Sequence, residues 1–532
     1  VAPATGWARP VRHALLKSAC IRRGAALGRS LSAVAGLLAL AACASGHGER
    51  GAVTAEQFYQ SAYGKIDELY LDPVDMRRLV VDGLVHAGMV IPNLSVSLQP
   101  GGTAVTLAVG NRAPHTFALP NGPEVRAWAH AAATITDWTA AQAPDLTPAD
   151  QTRDLLYRAL LEGATADLDP YSRYSVPAAA RTERTRREGY VGIGVTLEET
   201  QRGFRIIAVA PGSPAAVAGL WVGDLITAVG GQPVDGTGGG TALTVEAVMA
   251  RLSGPEGTGV PLRVSRGATA LTVLISRQRI ILPTVTAERA GPVGVLHVSR
   301  FNAGTADALA AAVRHLRDGD ATGAAPTGWV LDLRGNTGGL LDQAVAVADL
   351  FMPGGPILNT IGRHPDSVQH YDATPGDVLD GAPLVVLADG QTASSAEIVL
   401  GALVDSGRAL DVGTTSFGKG VVQTVAPLPN GGELFITWSR IVTPSGRMFD
   451  HQGLAPALCT AGITDADAIL AALRAQPRPA ATRAACPAER NRPQAVDLRV
   501  AETLLTSPAL LRRAQLASQT LLADQPAAEN SP

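Results

Sequence analysis

Three patterns of apolar and polar positions follow one another along the chain. From Ala55 the apolar residues recur every three or four positions in "AEQFYQSAYGKIDELYL" and "DMRRLVVDGLVHAGM", which predicts amphipathic helices. The same period returns from Thr152 in "TRDLLYRALLEGATADLDPYSRY". Between these stretches "NLSVSLQPGGTAVTLAVG" alternates, is rich in Val and Thr and carries turn glycines, so it predicts a β-hairpin. The expected unit is a helical domain over residues 54–186 with a β insertion near 90–122.

Over 187–285 the period shortens to that of strands, in "YVGIGVTLEE", "GFRIIAVAPGSPAAVAGLWVGDLITAVGGQPV" and "GVPLRVSRGATALTVLISRQ", with one short helix at "TVEAVMARL". From Gly291 strands and helices alternate: "VGVLHVSRF", "TADALAAAVRHLRD", "GWVLDL", "GGLLDQAVAVADLF", "PLVVLAD", "SSAEIVLGALVDSG". That alternation predicts helices packed on a mostly parallel sheet, over about 290–460. Residues 461–532 turn Ala-, Pro- and Arg-rich with weak helical patches, and are expected to form an appendage.

Composition changes this picture little. The chain of 532 residues is 46% hydrophobic and 17% charged, with a net charge of −3, which gives no reason to expect nucleic acid as a partner. The one basic cluster, "RTERTRREG" from Arg181, contains its own glutamates and is expected to be a solvated linker or helix end. The N-terminus adds more. Arg22, Arg23 and Arg29 precede "LSAVAGLLALAAC", an apolar run too short to span a bilayer and suited to the core of a secretory signal. The closing "LAAC" resembles a bacterial lipobox, so residues 1–43 are expected to be a signal segment ending in a lipidated Cys43, with the protein held in the periplasm by that anchor alone. Export would leave Cys459 and Cys486 as the cysteines of the mature chain, and a disulfide between them is expected, with two separate thiols as the alternative.

For candidate chemistry, the ten histidines lie in no local hydrolase signature, and neither H-E-x-x-H nor G-x-S-x-G occurs. From Gly413 the glycine-rich "DVGTTSFGKGV" matches the opening G-x-x-x-x-G-K of a nucleotide-binding P-loop. Gly420 stands where the magnesium-binding Ser or Thr should be, which weakens that reading. The alternative is that Lys419, flanked by Phe417 and Val421 with no acid within five residues, is desolvated and neutral and accepts a proton. A serine for it lies in "DGQTASSAEIVLGAL", where a strand ends and a helix opens near Ser394. Ser394 with Glu397 also reads as a capping box, and residue types alone favour that plain role.

Two resemblances alter the balance. "PGSPAAVAGLWVGDLI" and "SGPEGTGVPLRVSR" closely resemble a PDZ domain, which implies capture of peptide C-termini, with "VGIGV" (Gly192, Ile193, Gly194) as the carboxylate loop. "TASSAEIVLGALVDSGRALDVGTTSFGKGVVQ", with "VLDLRGNTGGLL" upstream and "FDHQGLAP" downstream, resembles the carboxyl-terminal processing (tail-specific) serine proteases. That resemblance implies a multidomain α/β protein with a protease core of the ClpP/crotonase-like kind. It implies a catalytic Ser394–Lys419 dyad assisted by Gln423, an oxyanion hole from Gly338 or Gly339 and the Ser395 amide, and no cofactor. The family's Ser-Ala-Ser-Glu is here Ser394-Ser395-Ala396-Glu397, so Ser395 is a rival nucleophile. The implied partners are protein or peptide substrates with exposed C-termini; an adaptor protein or a homo-oligomer stays open. The rival function is a PDZ-type adaptor on an inactive protease scaffold.

Overall fold

A computed structural model describes residues 53–142, 149–234, 243–319, 324–475, 486–490 and 495–523. The expected signal segment and Cys43 lie outside the described residues. Among the described residues no helix is long and apolar enough to cross a membrane.

The first helices begin where the sequence supplies caps. Thr54 and Gln57 exchange side chain-to-backbone bonds at 3.1 and 3.2 Å ahead of helix Ala55–Leu69, and Asp75 caps Met76–Val90. Helices Val125–Gln142 and Ala149–Ala166 complete the layer. Their shared core is aromatic, with Phe58, Tyr59, Tyr63 and Trp128 fully buried. The expected hairpin is a three-stranded antiparallel sheet, Leu94–Leu98, Ala104–Val109 and His115–Ala118. Its third strand and the Val125–Gln142 helix are not in the hydrophobic pattern used above. The helical core also takes in Ala426, Leu428, Leu434 and Ile436 from a second sheet, formed by Gln369–Ala373, Gly355–Ile361, Glu433–Val442 and Val421–Pro427. Strand Arg173–Ser175 adds itself to that sheet beside Glu433–Phe435. The "LDPYSRY" stretch is thereby built into the protease half of the molecule.

The PDZ region is an antiparallel sheet ordered Thr269–Ser276, Gly259–Arg266, Leu225–Val229, Gly203–Val209, Val195–Thr200. Val195–Thr200 is therefore an edge strand, and helix Val245–Leu252 buries Val248 and Leu252 in the same core.

The main sheet runs Val285–Ala290, Val293–Val298, Gly328–Asp332, Leu384–Ala388, Leu410–Gly413, Leu458–Cys459. Only its first pair is antiparallel. The continuous apolar runs of its middle strands follow from burial on both faces. One face carries Thr305–Asp318, Leu341–Phe351 and Ser395–Asp405. The other face corrects the expectation of a C-terminal appendage. Helices Ala466–Ala475, Ala495–Thr506 and Pro508–Ala523 bury Leu470, Val500 and Leu504 against Val330, Val385 and Leu410. Without them, one face of the sheet would lie open to water.

Candidate active site

Three adjacent parallel strands, Gly328–Asp332, Leu384–Ala388 and Leu410–Gly413, end side by side, and each runs into a loop carrying predicted chemistry. Ligand sites in open α/β sheets form at such strand C-termini. The loop after Asp332 is anchored by Arg334, whose guanidinium holds Asp332 (2.6 and 2.8 Å) and Asp497 of the C-terminal helix (3.3 Å). Burial alone would raise the Asp332 pKa, but hydrogen bonds from Arg334 and His297 and the Arg334 charge hold it down at about 2.

Ser394 tops the next loop with φ +56° and ψ −119°, a strained conformation for a residue with a side chain. Its N–H donates to Glu397 Oε2 at 2.8 Å, the carboxylate arm of the capping box. Ser394, Gly338, Gly339, Lys419 and Gln423 line one cavity of about 240 Å3. The rival Ser395 also lines the cavity, but it is only 2% exposed and its hydroxyl is committed to Gly339 O at 3.0 Å. The two candidate glycines also separate. Gly338 N–H donates to Asn336 Oδ1 at 2.8 Å, whereas among the described residues neither Gly339 N–H nor Ser395 N–H has an acceptor.

Lys419 Nζ donates to Gln423 Oε1 at 2.6 Å, and Gln423 Nε2 donates to Tyr171 O at 2.7 Å. The Tyr171 ring lies 5.1 Å from Nζ. Burial, seconded by the Arg173 charge, lowers the Lys419 pKa to about 8 against the pull of Asp169, Asp450 and Glu397. No hydrogen bond joins Ser394 Oγ to Lys419 Nζ among the described residues, although both residues line the cavity.

The glycine-rich loop around Lys419 has no amides to spare for a phosphate. Gly418 N–H and Lys419 N–H both donate to Glu397, each at 2.8 Å, and Gly420 N–H donates to Asp450 Oδ1 at 3.0 Å. A side chain at Gly420 would begin 2.5 Å from the backbone nitrogen of Asp450, which accounts for the glycine where a P-loop has its hydroxyl. Glu397 is the residue that sequence reasoning undervalued. Fully buried, it accepts from Ser394 N–H, Gly418 N–H, Lys419 N–H and Ser416 Oγ, the last at 2.5 Å, and so ties nucleophile turn and lysine loop to one carboxylate. Its only sequence signal was the third position of a capping box. Asp169 was missed as well: its carboxylate accepts from Tyr171 N–H and Ser172 N–H, both at 2.7 Å, which folds the turn that aims Tyr171 O at Gln423.

A larger cavity of about 710 Å3 lies under helix Pro508–Ala523, but no serine, cysteine, lysine or histidine lines it and its Asp377 and Arg408 pair with each other at 3.0 Å.

Residues 292–458 match the sequence profile of peptidase family S41, and residues 205–266 that of the PDZ domain. A carboxy-terminal-processing protease of Bartonella bacilliformis is 36% identical over 299 residues, which are 56% of this chain and 67% of that protein. The chain belongs to peptidase family S41. A probable CtpA-like serine protease of Staphylococcus aureus is 32% identical over 314 residues, 58% of this chain and 60% of the relative. Among solved structures, a photosystem II D1 C-terminal processing protease is similar at 28% identity and a TM-score of 0.34, over 60% of this chain and 84% of that one.

In this S41 chain the "VGIGV" residues divide between two roles. Gly192 closes strand Tyr190–Gly192, which pairs with Gln278–Ile280, and Ile193 is buried in the PDZ core. Gly194 has φ +84° and packs against Ser213, so the backbone itself demands glycine there. Ile193 O and Gly194 O accept from Ala215 N–H and Ala210 N–H, both at 2.9 Å, which orients the loop at the head of edge strand Val195–Thr200.

Cys459 and Cys486 are joined, with Cα atoms 5.8 Å apart. The chain beyond Cys486 lies across both catalytic loops. Glu489 O accepts from Gly390 N–H at 2.9 Å, Arg490 O from Gln391 Nε2 at 2.7 Å, and Cys486 O from Thr415 Oγ1 at 2.5 Å. The Arg490 guanidinium stands 5.0 Å from the Phe417 ring. The double variant Cys459→Ser/Cys486→Ser is expected to lose about 3 kcal/mol of stability by loop entropy and, because the strap touches both loops, to lose peptidase activity several-fold. Denaturant titration and steady-state assay of the oxidised and substituted proteins check this; unchanged activity would confine the strap to a structural role.

Proposed function

We propose that the protein is a serine endopeptidase that engages C-terminal tails of protein substrates at its PDZ edge strand and cleaves near them with Ser394 and Lys419. The observation that carries this reading is the meeting, at one cavity, of a conformationally strained serine, a desolvated lysine and two backbone amides without acceptors. Neutral Lys419 takes the proton of Ser394 Oγ as Oγ bonds to the scissile carbonyl carbon. The oxyanion is received by Gly339 N–H and Ser395 N–H. The carbon–nitrogen bond breaks, and the leaving amine takes the proton from Lys419. Water then attacks the acyl-enzyme, giving its proton to Lys419, and Ser394 Oγ leaves and is reprotonated. Gln423, fixed by Tyr171 O, orients Nζ throughout. Bringing Oγ and Nζ together requires a rotamer change or a small loop shift on substrate binding, as catalytic hydrogen bonds often tighten only in the complex.

The test is reaction of the purified protein with a serine-directed covalent probe and peptide mapping of the adduct. Label is expected on Ser394, and Ser394→Ala is expected to abolish both label and proteolysis while leaving tail binding nearly intact. Label on Ser395 would overturn the assignment, and no label with intact tail binding would favour an inactive PDZ adaptor. The proposed periplasmic lipoprotein state rests on the "LAAC" motif; fatty-acid incorporation that survives Cys43→Ala would refute it.

A further inference from the structure

The basic stretch from Arg181 is a largely solvated helix end, as expected, but one of its arginines turns inward. It forms helix Pro177–Glu188, and this helix brings Arg187 to the wall of the catalytic cavity, its side chain only 13% exposed. Arg184 and Arg187 share a single buried carboxylate, Glu433, at 2.7 and 3.0 Å. Arg187 also meets the exposed Glu188 at 3.9 Å, and among the described residues its Nη1 is buried with no hydrogen-bond partner. Beside it Arg173, delivered by its strand pairing to Phe435, lays its guanidinium 3.7 Å from that ring. Arg300 lines the same cavity, on the loop that meets the Gly338–Leu340 backbone through Phe301. Among the described residues neither Arg173 nor Arg300 has an ion-pair or side-chain hydrogen-bond partner. Glu183 is the one acid lining this cavity, and it faces Arg186 at 3.8 Å. Leu341, Ile398, Val422 and Phe435 give the wall an apolar part beside the polar Thr337, Ser394, Lys419 and Gln423.

A cavity with a partly apolar wall and several guanidinium donors suits an aliphatic stem ending in a carboxylate. Arginine guanidiniums bind such groups by charge-assisted, often bidentate bonds. We infer that Arg173, Arg187 and Arg300 form a carboxylate subsite beside Ser394, so that the cleft selects substrates with a carboxylate, from an acidic side chain or the chain end, close to the bond cut. This deepens the reading of the cavity as a peptidase cleft and rests on it.

The experiment uses the full-length Ser394→Ala protein, which needs no turnover, and measures peptide binding by calorimetry. One peptide pair is amidated at the C-terminus and differs only in Glu against Gln beside the cleavage position. A second pair carries Gln there and differs in free acid against amide. At least one carboxylate peptide is expected to bind about tenfold or more tightly than its amide partner, the least that a hydrogen bond to a charged group supplies. In Arg173→Gln that advantage should shrink to near unity, with the thermal midpoint recorded to show that the fold is kept. An advantage confined to the first pair assigns an acidic side chain, and one confined to the second assigns the chain end. A free-acid advantage that survives Arg173→Gln belongs to the PDZ edge and counts against the subsite. Equal affinities in both pairs, or no binding by any peptide, overturn it. If the Arg173-dependent preference is found but wild-type protein cleaves nothing, the peptidase reading fails and the subsite stands.

Discussion

Lys419→Arg is expected to be as inactive as Lys419→Ala, both lower than wild type by at least about 100-fold, the smaller end of what a general base contributes. An arginine keeps the charge and much of the length, but its guanidinium cannot give up a proton in a protein. A lysine held only to bind an anion would tolerate the exchange. The same group sets the pH profile. With its pKa lowered to about 8 by burial and by Arg173, the competent neutral amine is the form above that pH. The value of kcat/KM should therefore rise with pH through about 8 and level off above it, and at pH 6 only about one molecule in a hundred carries the neutral base. Measuring kcat/KM from pH 6 to 10 checks both points. Appreciable activity in the arginine variant, or a profile flat across pH 8, removes Lys419 as the proton acceptor.

Glu397 carries the second large effect. Its carboxylate accepts the amides of Ser394, Gly418 and Lys419 and the Ser416 hydroxyl, so Glu397→Ala strands several buried donors at about 1–3 kcal/mol each. A loss of about 4 kcal/mol, at the exceptional end for a single substitution, is expected from denaturant titration. Glu397→Gln conserves the volume and separates positioning from stability. Burial raises the Glu397 pKa, while its four donors pull the other way, and its charge supports the protonated form of Lys419. Removing that charge should lower the Lys419 pKa further. The pH–rate curve of Glu397→Gln should thus shift to lower pH while its plateau falls through kcat more than through KM. A lowered plateau with an unshifted midpoint would make Glu397 merely structural.

The placing of these groups explains what reading the chain could and could not reach. Lys419 was legible locally as a glycine-flanked lysine in an apolar loop, whereas Ser394 read locally as a helix cap, and its expected role and that of Gln423 came only from the resemblance to the tail-specific proteases. Glu397 was legible only as a helix cap, because its bonds to Gly418 and Lys419 bridge more than twenty residues of sequence. Arg187 was read as part of a solvated basic cluster, and Arg173 was not singled out, for the same reason. Their neighbours Phe435 and Glu433 lie in a strand some 250 residues later.

Local periodicity determined the succession of helical, PDZ and α/β regions, since an amphipathic helix or a buried strand declares itself within a dozen residues. Sequence also determined the type of reactive group available, since no histidine stood in a hydrolase pattern and one lysine stood in an apolar loop. Tertiary structure set the two hydroxyls apart, by burying Ser395 against Gly339 O and holding Ser394 in a strained turn at the cavity. It decided which glycine amide is available, by giving Gly338 N–H to Asn336. It turned the Ala- and Pro-rich tail into the cover of the main sheet, with Asp497 beneath Arg334 and the Cys486 strap across both loops. Each of these outcomes depends on desolvation and on hydrogen bonds between residues far apart in the chain, and those energies exist only once the chain has closed on itself.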